Sequence, residues 1–102
     1  MESNAPYDAR LEQEVLGSML VDPACIADIA DVVKPEHFYI GKYQKLCKKI
    51  LDDWNEDEKR VDLSLMAPFF EREGIMVSEL LEIPSTATVR YKAENLKDLS
   101  ML

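Results

Sequence analysis

The sequence predicts an all-α fold, a compact bundle of about six helices. Three observations lead to this prediction. Apolar residues recur at the three- and four-residue spacing of a helix face along almost the whole chain, no stretch alternates apolar and polar residues as a strand does, and only 3 glycines and 5 prolines interrupt the pattern. The length of 102 residues suits one domain with one modest core, and predicts a folded surface of about 5,900 Å².

Charge and composition exclude several classes of protein. The chain has 20 acidic and 12 basic side chains, a net charge of -8, so its surface as a whole is unsuited to binding nucleic acid or anionic membranes. No apolar run is long enough to span a bilayer, and the polar N-terminus has no secretory signal, which predicts a cytoplasmic location. Cys25 and Cys47 each lie among apolar residues at helical spacing, so we expect buried free thiols.

The first two helices are bounded by aspartate and proline. Residues 1–7 are predicted to be a flexible lead-in, and Asp8 is predicted to cap a first helix that stops at Asp22-Pro23. Asp22 then caps a second helix with Pro23 at its first position, and Lys34-Pro35 ends that helix. The apolar stripes of the two helices comprise Leu11, Val15, Leu16, Met19 and Leu20, and then Ile26, Ile29 and Val33.

The third helix has the clearest apolar stripe. Its members follow the spacing i, i+3, i+4, i+7, i+8 and i+11, and they are Tyr43, Leu46, Cys47, Ile50, Leu51 and Trp54. A loop with three rings precedes this helix, and we expect Phe38 and Tyr39 of the loop to close the end of the bundle. The third ring, His37, is predicted to be structural or exposed rather than a catalytic base, because no nucleophile lies beside it in the sequence.

The fourth helix has two candidate caps, Asp62 and Ser64. Pro68 favours Ser64, because a cap at Asp62 would place the proline in the helix interior. Gly74 is suited to end the helix. The predicted core residues are Leu65, Phe69 and Phe70. A short helix around residues 78–82 and a last helix from residue 85 or 86 to the end complete the bundle, the latter with Val89, Ala93 and Leu96 on one face.

No group of residues in the sequence supports catalysis, a cofactor or a metal ion. Gly17, Gly41 and Gly74 are the only glycines, and none begins a phosphate-binding loop. His37 is the single histidine and has no second metal ligand beside it. The acidic residues, Glu12 among them, are assigned to solvated helix exteriors. We therefore expect a chain that is not an enzyme by itself.

Four lysines reverse the acidic balance on the outer face of the third helix. This lysine strip consists of Lys42, Lys45, Lys48 and Lys49. One interpretation is a solubilising face, and the other is a contact surface for an acidic partner or for a nucleic-acid backbone. Complex formation after Lys45→Glu and Lys49→Glu distinguishes the two, because only the second interpretation predicts a loss of binding.

Five ordered segments resemble a known family. They are LEQEVLGSML over residues 11–20 with Asp22-Pro23 after it, PEHFY over residues 35–39, the amphipathic helix over residues 43–51, Val61-Asp62, and PSTATVRY over residues 84–91. Together they resemble the N-terminal domain of bacterial replicative DNA helicases, the DnaB family, which has Glu-Gln-x-Val-Leu-Gly-Ser-x-Leu, Pro-Glu-x-Phe-Tyr and Pro-Ser-Ala-Ala-Asn-x-x-Tyr at these places.

The chain departs from the family pattern in three places. Residues 74–77, GIMV, replace a longer turn, Gly-Gly-x-x-Tyr-Leu, before the fifth helix. Lys92 stands where the family has a second tyrosine, and Asn95 stands where it has an aliphatic residue. These changes are typical of a divergent member, whether of phage, plasmid or a particular bacterial branch.

The resemblance implies a domain taken from a longer protein. Residues 8–84 would form the globular helical N-terminal domain, and residues 85–102 would begin the first arm of a helical hairpin through which family members dimerise. A linker and a RecA-type ATPase domain follow in the family and are absent from this chain. ATP and magnesium are expected only there, and no direct DNA binding is expected of the chain itself.

The function implied by the resemblance is assembly and protein interaction. The partners would be other copies of the chain, as a dimer or a trimer of dimers within a hexamer, and primase or a helicase loader in the primosome. Candidate partner-contact residues are Lys45, Lys49, Trp54, Tyr91 and Leu96, although Trp54 fits the core better. Candidate structural residues are Leu16, Gly17, Phe38, Tyr43, Leu46, Ile50 and Phe70. A stand-alone helical adaptor of replication and a small enzyme or ligand carrier are the alternatives.

Overall fold

Six α-helices carry the part of the chain that the computed structural model describes, residues 8–81 and 89–101. They are α1 (Ala9–Val21), α2 (Ile26–Ile29), α3 (Gly41–Glu56), α4 (Leu63–Glu73), α5 (Ser78–Leu81) and α6 (Val89–Ser100). Three 3-10 turns, Pro23–Cys25, Pro35–His37 and Glu58–Arg60, join them, and these described ranges contain no strand. The predicted all-α fold is confirmed. The lead-in at residues 1–7, the start of the last helix and the boundary at residue 84 lie outside the described residues.

Helix α1 is central to the bundle and packs against α3, α5 and α6. It begins as predicted, because an Asp8 carboxylate oxygen accepts a hydrogen bond from the backbone N–H of Leu11 at 3.1 Å. Val15, Leu16, Met19 and Leu20 of its second half are buried, and so is Gly17. The apolar stripe of α1 therefore lies in the middle of the core, and Asp8 caps the first turn of the helix.

The second helix is shorter than predicted. The chain turns through Pro23–Cys25 and then makes the single α-helical turn α2, which ends at Ile29 rather than at Lys34. Both Val32 and Val33 enter the core after that turn, and the Val33 N–H donates to the Ile29 carbonyl at 2.8 Å. Asp22 makes no side-chain capping bond here, so its predicted capping role is wrong.

Helix α4 begins two residues earlier than Pro68 suggested. An Asp62 carboxylate oxygen accepts from the Ser64 N–H at 2.8 Å and from the Leu65 N–H at 3.3 Å, so Asp62 and not Ser64 is the cap. These two bonds and the packing of the helix outweigh the one backbone bond lost at Pro68. Gly74 ends the helix with φ 71°, in the left-handed region that its lack of a side chain permits.

Two predicted core residues lie on the surface instead. Leu65 is 64% exposed, and Met66 takes its place in the core. Both residues have helical spacing to Phe69, at i+4 and i+3, so the pattern alone could not choose between them. Tyr39 is 62% exposed, and only Phe38 closes the end of the bundle.

One core unites the described helices. It contains six of the seven residues that we proposed as structural from the sequence. The seventh, Gly17, is buried on α1. Cys25 and Cys47 are buried free thiols, as predicted, and burial raises their pKa values to about 11 and about 12. The folded surface of 5919 Å² agrees with the value expected from the chain length.

Candidate protein-interaction surfaces

Glu12 joins α1 to the start of α3. Its side chain is fully buried, and its two oxygens accept hydrogen bonds from the backbone N–H groups of Tyr39 at 2.9 Å and Ile40 at 3.3 Å. Burial raises the pKa of Glu12 above its usual value, and the two N–H donors oppose that rise. The assignment of Glu12 to a solvated exterior was therefore wrong. Its spacing to Val15 and Leu16, at i+3 and i+4, was the signal that places it on the core stripe.

A second polar network links α1, α3 and α5 through Tyr43. Gln13 donates to the Tyr43 hydroxyl at 2.9 Å, and that hydroxyl donates to Glu79. Glu79 also accepts from the Met76 N–H at 2.7 Å and lies 3.4 Å from the Lys42 ammonium. Burial raises the Glu79 pKa, but these three donors outweigh it and hold that pKa below its usual value. Burial, aided by Glu79, raises the pKa of Tyr43 to about 12.

Every lysine of the lysine strip faces a carboxylate. Lys48 and Lys49 pair with Asp52 and Asp53 of their own helix, at 3.1 and 2.9 Å. Lys42 pairs with Glu79 of α5, and Lys45 pairs with Glu73 of α4, both at 3.4 Å. The Lys45 side chain is largely exposed, so its pair contributes little to stability, whereas the side chain of Lys49 is only one-third exposed. The strip is thus a partly neutralised face rather than a free row of cations.

A groove runs beside the lysine strip, between α3 and α4. A cavity of about 330 Å³ is lined by Lys45, Lys48, Lys49, Asp52, Asp53 and Phe69. A second cavity of about 340 Å³ is lined by Lys49, Asp53, Arg60 and Leu65. Because the two share Lys49 and Asp53, they form one continuous surface, which we name the α3–α4 groove. The Lys49 ammonium lies 6.0 Å from the centre of the Phe69 ring, and the Arg72 guanidinium lies 5.4 Å from it.

Trp54 is half-buried at the end of α3 and packs against the core. Its exposed edge lines a cavity of about 440 Å³ with the acidic turn that follows α3. The structure therefore gives Trp54 a packing role first, which is the role that its place on the apolar stripe favoured.

Helix α6 is fixed to the rest of the bundle by charged side chains. Arg90 reaches both carboxylate oxygens of Asp31 at 3.3 Å and also donates to the Asp28 carbonyl. Lys92, which departs from the family tyrosine, lies 3.3 Å from Glu14 of α1. These contacts supplement the burial of the apolar face of the helix.

The two contact candidates on α6 have opposite surroundings. Tyr91 is 67% exposed, so its ring is available to a partner. Leu96 is buried with Val89 and Ala93 in the core, so its assignment to partner contact is wrong in this structure. A residue at i+7 from Val89 lies on the same helix face, which is why both belong to the core stripe.

His37 closes the turn before Phe38. Its Nδ1 accepts a hydrogen bond from the backbone N–H of Lys34 at 3.2 Å, and burial lowers its pKa below the usual value. Over the described residues, no group of three or more His, Cys, Asp or Glu side chains could hold a metal ion. Within the same part of the chain, no helix is long and apolar enough to cross a membrane.

Comparison with known proteins identifies the family of this fold. The family described as DnaB-like helicase N terminal domain matches residues 4–98. The chain belongs to this family. This membership identifies the chain as a DnaB-like helicase N-terminal domain.

Two curated relatives and one solved structure support the family assignment. The replicative DNA helicase DnaB of Rhodothermus marinus is 34% identical over 97 residues, which is 86% of this chain and 10% of the relative. That of Geobacillus stearothermophilus is 29% identical over 105 residues, 95% of this chain and 23% of the relative. The crystal structure of the N-terminal domain of DnaB helicase from Mycobacterium tuberculosis superposes with a TM-score of 0.81 at 27% identity, covering 96% of this chain and 77% of that one.

Proposed function

We propose that the chain is an assembly and protein-interaction domain of a hexameric replicative DNA helicase, active in DNA replication in the cytoplasm. The observation that carries the proposal is the match of fold and family over nearly the whole chain. Because the chain spans only 10% and 23% of the length of the two curated relatives, ATP binding, magnesium binding and strand separation would belong to the remainder of a longer helicase.

Helix α6 supports a role in assembly. Its inner face is buried, its flanks are held by Arg90 and Lys92, and its outer face presents Tyr91. A helix fixed in this way can present an exposed ring without reordering the backbone, which lowers the entropic cost of association. We expect α6 to continue into a helical hairpin that pairs two copies, as a dimer or as a trimer of dimers within the hexamer.

Primase or a helicase loader is the other partner that this function requires. Exposed aromatic rings on rigid elements are the usual anchors of protein interfaces, and Tyr91 meets that description. Direct contact with DNA is not part of the proposed role, because the chain has a net charge of -8 and its lysine strip is paired.

The test is binding of the chain to the primase of its own cell. We expect a saturable complex by titration calorimetry, and we expect Tyr91→Ala to weaken it about tenfold. Met76→Ala is the matched control, because Met76 is equally exposed but lies before α5, and it should leave the affinity unchanged. A chain that binds neither primase nor loader, and that sediments as a strict monomer at high concentration, would contradict the proposal.

A further inference from the structure

The α3–α4 groove has cationic side chains on its α3 side and an exposed leucine on its α4 side. One wall is formed by three lysines of the lysine strip, Lys45, Lys48 and Lys49. The other is a face of α4 on which Leu65, Phe69 and Arg72 follow each other at i, i+4 and i+7. Leu65 is 64% exposed although its helix has a well-buried stripe, and the Phe69 ring forms the floor. Phe69 itself is buried, so the exposed Leu65 is the apolar anchor point that the groove offers to a ligand.

The charge around the groove is opposite to that of the whole chain. The lining contains four cations, Lys45, Lys48, Lys49 and Arg60, and two carboxylates, Asp52 and Asp53, an excess of two positive charges in a chain of net charge -8. Arg72 adds a fifth cation at the Phe69 ring.

The cations of the groove can exchange partners. Lys45 and Arg60 are held from outside the lining by Glu73 and Glu56, in pairs whose cationic side chains are more than half exposed. Exposed pairs of this kind contribute little to stability, so an incoming carboxylate can replace them at low cost.

From this juxtaposition we propose that the α3–α4 groove binds an acidic amphipathic helix of a partner protein. The face of α4 from Leu65 to Arg72 extends about 10 Å along the helix, which is the length of two helical turns of a bound helix with anchors at i, i+3, i+4 and i+7. Glutamates on the flanks of such a helix would meet Lys45, Lys49 and Arg60. Its apolar face would cover Leu65, which lies beside the buried Phe69.

A nucleic-acid backbone is a poorer occupant of the groove. Asp52 and Asp53 lie in the lining and would repel phosphates, and a phosphate gains nothing from Leu65. The groove also lies on elements other than α6, so its occupation does not depend on the role that we propose for Tyr91. The two ideas can therefore fail separately.

The experiment uses a synthetic peptide of about 15 residues with leucines on one helical face and glutamates elsewhere. Its binding to the isotope-labelled chain is followed by chemical-shift changes and by fluorescence anisotropy. We expect saturable binding with shifts confined to α3 and α4. A peptide with lysine in place of glutamate should not bind.

Three variants make the test specific. Lys45→Glu with Lys49→Glu should weaken binding at least about tenfold and should let the lysine peptide bind instead. Leu65→Ala, at an exposed position where folding is unaffected, should weaken binding about fivefold. The control pair Arg10→Glu with Lys97→Glu makes the same charge change at exposed cations of α1 and α6 and should change affinity less than about twofold.

Several outcomes would overturn the proposal. One is the absence of saturable binding of the glutamate peptide, and another is binding that Leu65→Ala and the charge reversal leave unchanged. Binding of DNA in place of the peptide, lost in Lys45→Glu with Lys49→Glu, would reassign the groove to nucleic acid. Self-association lost in the same variants would reassign it to a second copy of the chain.

Discussion

Glu12 shows how one buried carboxylate can determine a joint between helices. The backbone N–H groups of Tyr39 and Ile40 lie just before α3. The Glu12 carboxylate of α1 accepts a hydrogen bond from each of them. Burial disfavours the charged form of this carboxylate, and the pKa of Glu12 is therefore raised. Glu12 thus fixes the backbone just before α3 from a distance of 27 residues along the chain.

Glu12→Ala is expected to destabilise the fold by about 2 to 4 kcal/mol, because it removes the shared acceptor of two partly buried N–H groups and opens a cavity at a fully buried side chain. The measurement is urea unfolding followed by circular dichroism. Glu94→Ala, which removes the same side chain from an exposed position on α6, is the control and should cost less than about 0.5 kcal/mol. Equal unfolding midpoints for the two variants would show that the Glu12 contacts contribute nothing.

The hydroxyl of Tyr43 helps to lower the pKa of Glu79. Because the hydroxyl of Tyr43 is one of the donors that lower the pKa of Glu79, Tyr43→Phe should raise that pKa toward its usual value, and a carboxyl-carbon NMR titration measures the change. Tyr91→Phe, at an exposed ring, is the control and should not move it. An unchanged Glu79 pKa in Tyr43→Phe would rule out this coupling.

The sign of the pH effect follows from the lowered pKa. A carboxyl group with a lowered folded-state pKa contributes stability that is present above its unfolded-state pKa of 4.5 and is lost as the pH falls through the folded-state value. The native chain should therefore lose more unfolding free energy than Glu79→Gln when the pH falls below 4.5. The comparison of urea midpoints at pH 6 and at about pH 3 measures the difference.

At the scale of the element, prediction succeeded where one helix face dominates. Helix α3 has six apolar residues on one stripe, and the structure begins and ends it near the predicted positions. Helix α4 was harder, because Leu65 and Met66 both have helical spacing to Phe69 and because Asp62 and Ser64 are both good caps. Local pattern cannot resolve such ties, since the choice depends on which face meets the neighbouring helices.

The cap of α4 can be tested with a matched pair of variants. Asp62→Ala should cost about 1 kcal/mol of unfolding free energy, because the N–H groups of Ser64 and Leu65 lose their acceptor. Ser64→Ala should be nearly neutral, because the Ser64 side chain is exposed and the backbone keeps its bond to Asp62. If Ser64→Ala were the more destabilising change, the capping role would belong to Ser64.

At the scale of the whole molecule, the sequence located the candidate surfaces but not their electrostatic state. Spacing alone placed the lysine strip on one face of α3. Its partners Glu73 and Glu79 lie on later helices, and only the folded arrangement of α4 and α5 brings them to the strip. Exposed Leu65 was missed for the same reason. Long-range packing therefore decides both the charge and the apolar anchor of the α3–α4 groove.

The pairing of the lysine strip with carboxylates predicts that the chain does not bind DNA. Because all four lysines of the strip are paired and the chain has a net charge of -8, single-stranded DNA should show no saturable binding up to about 100 µM chain at about 150 mM salt. Fluorescence anisotropy of a labelled oligonucleotide is the measurement. Tight, salt-sensitive binding by the native chain would contradict the masking of the strip.

Removing the masking acids should reverse this behaviour. The triple variant Asp52→Asn, Asp53→Asn and Glu73→Gln takes three negative charges away from the partners of Lys45, Lys48 and Lys49, and should give measurable DNA binding that weakens with salt. A control with the same charge change at exposed acids, Glu36→Gln, Glu71→Gln and Asp98→Asn, should not bind. Equal binding by the two triple variants would mean that net charge, and not the local pairing on α3, keeps DNA away.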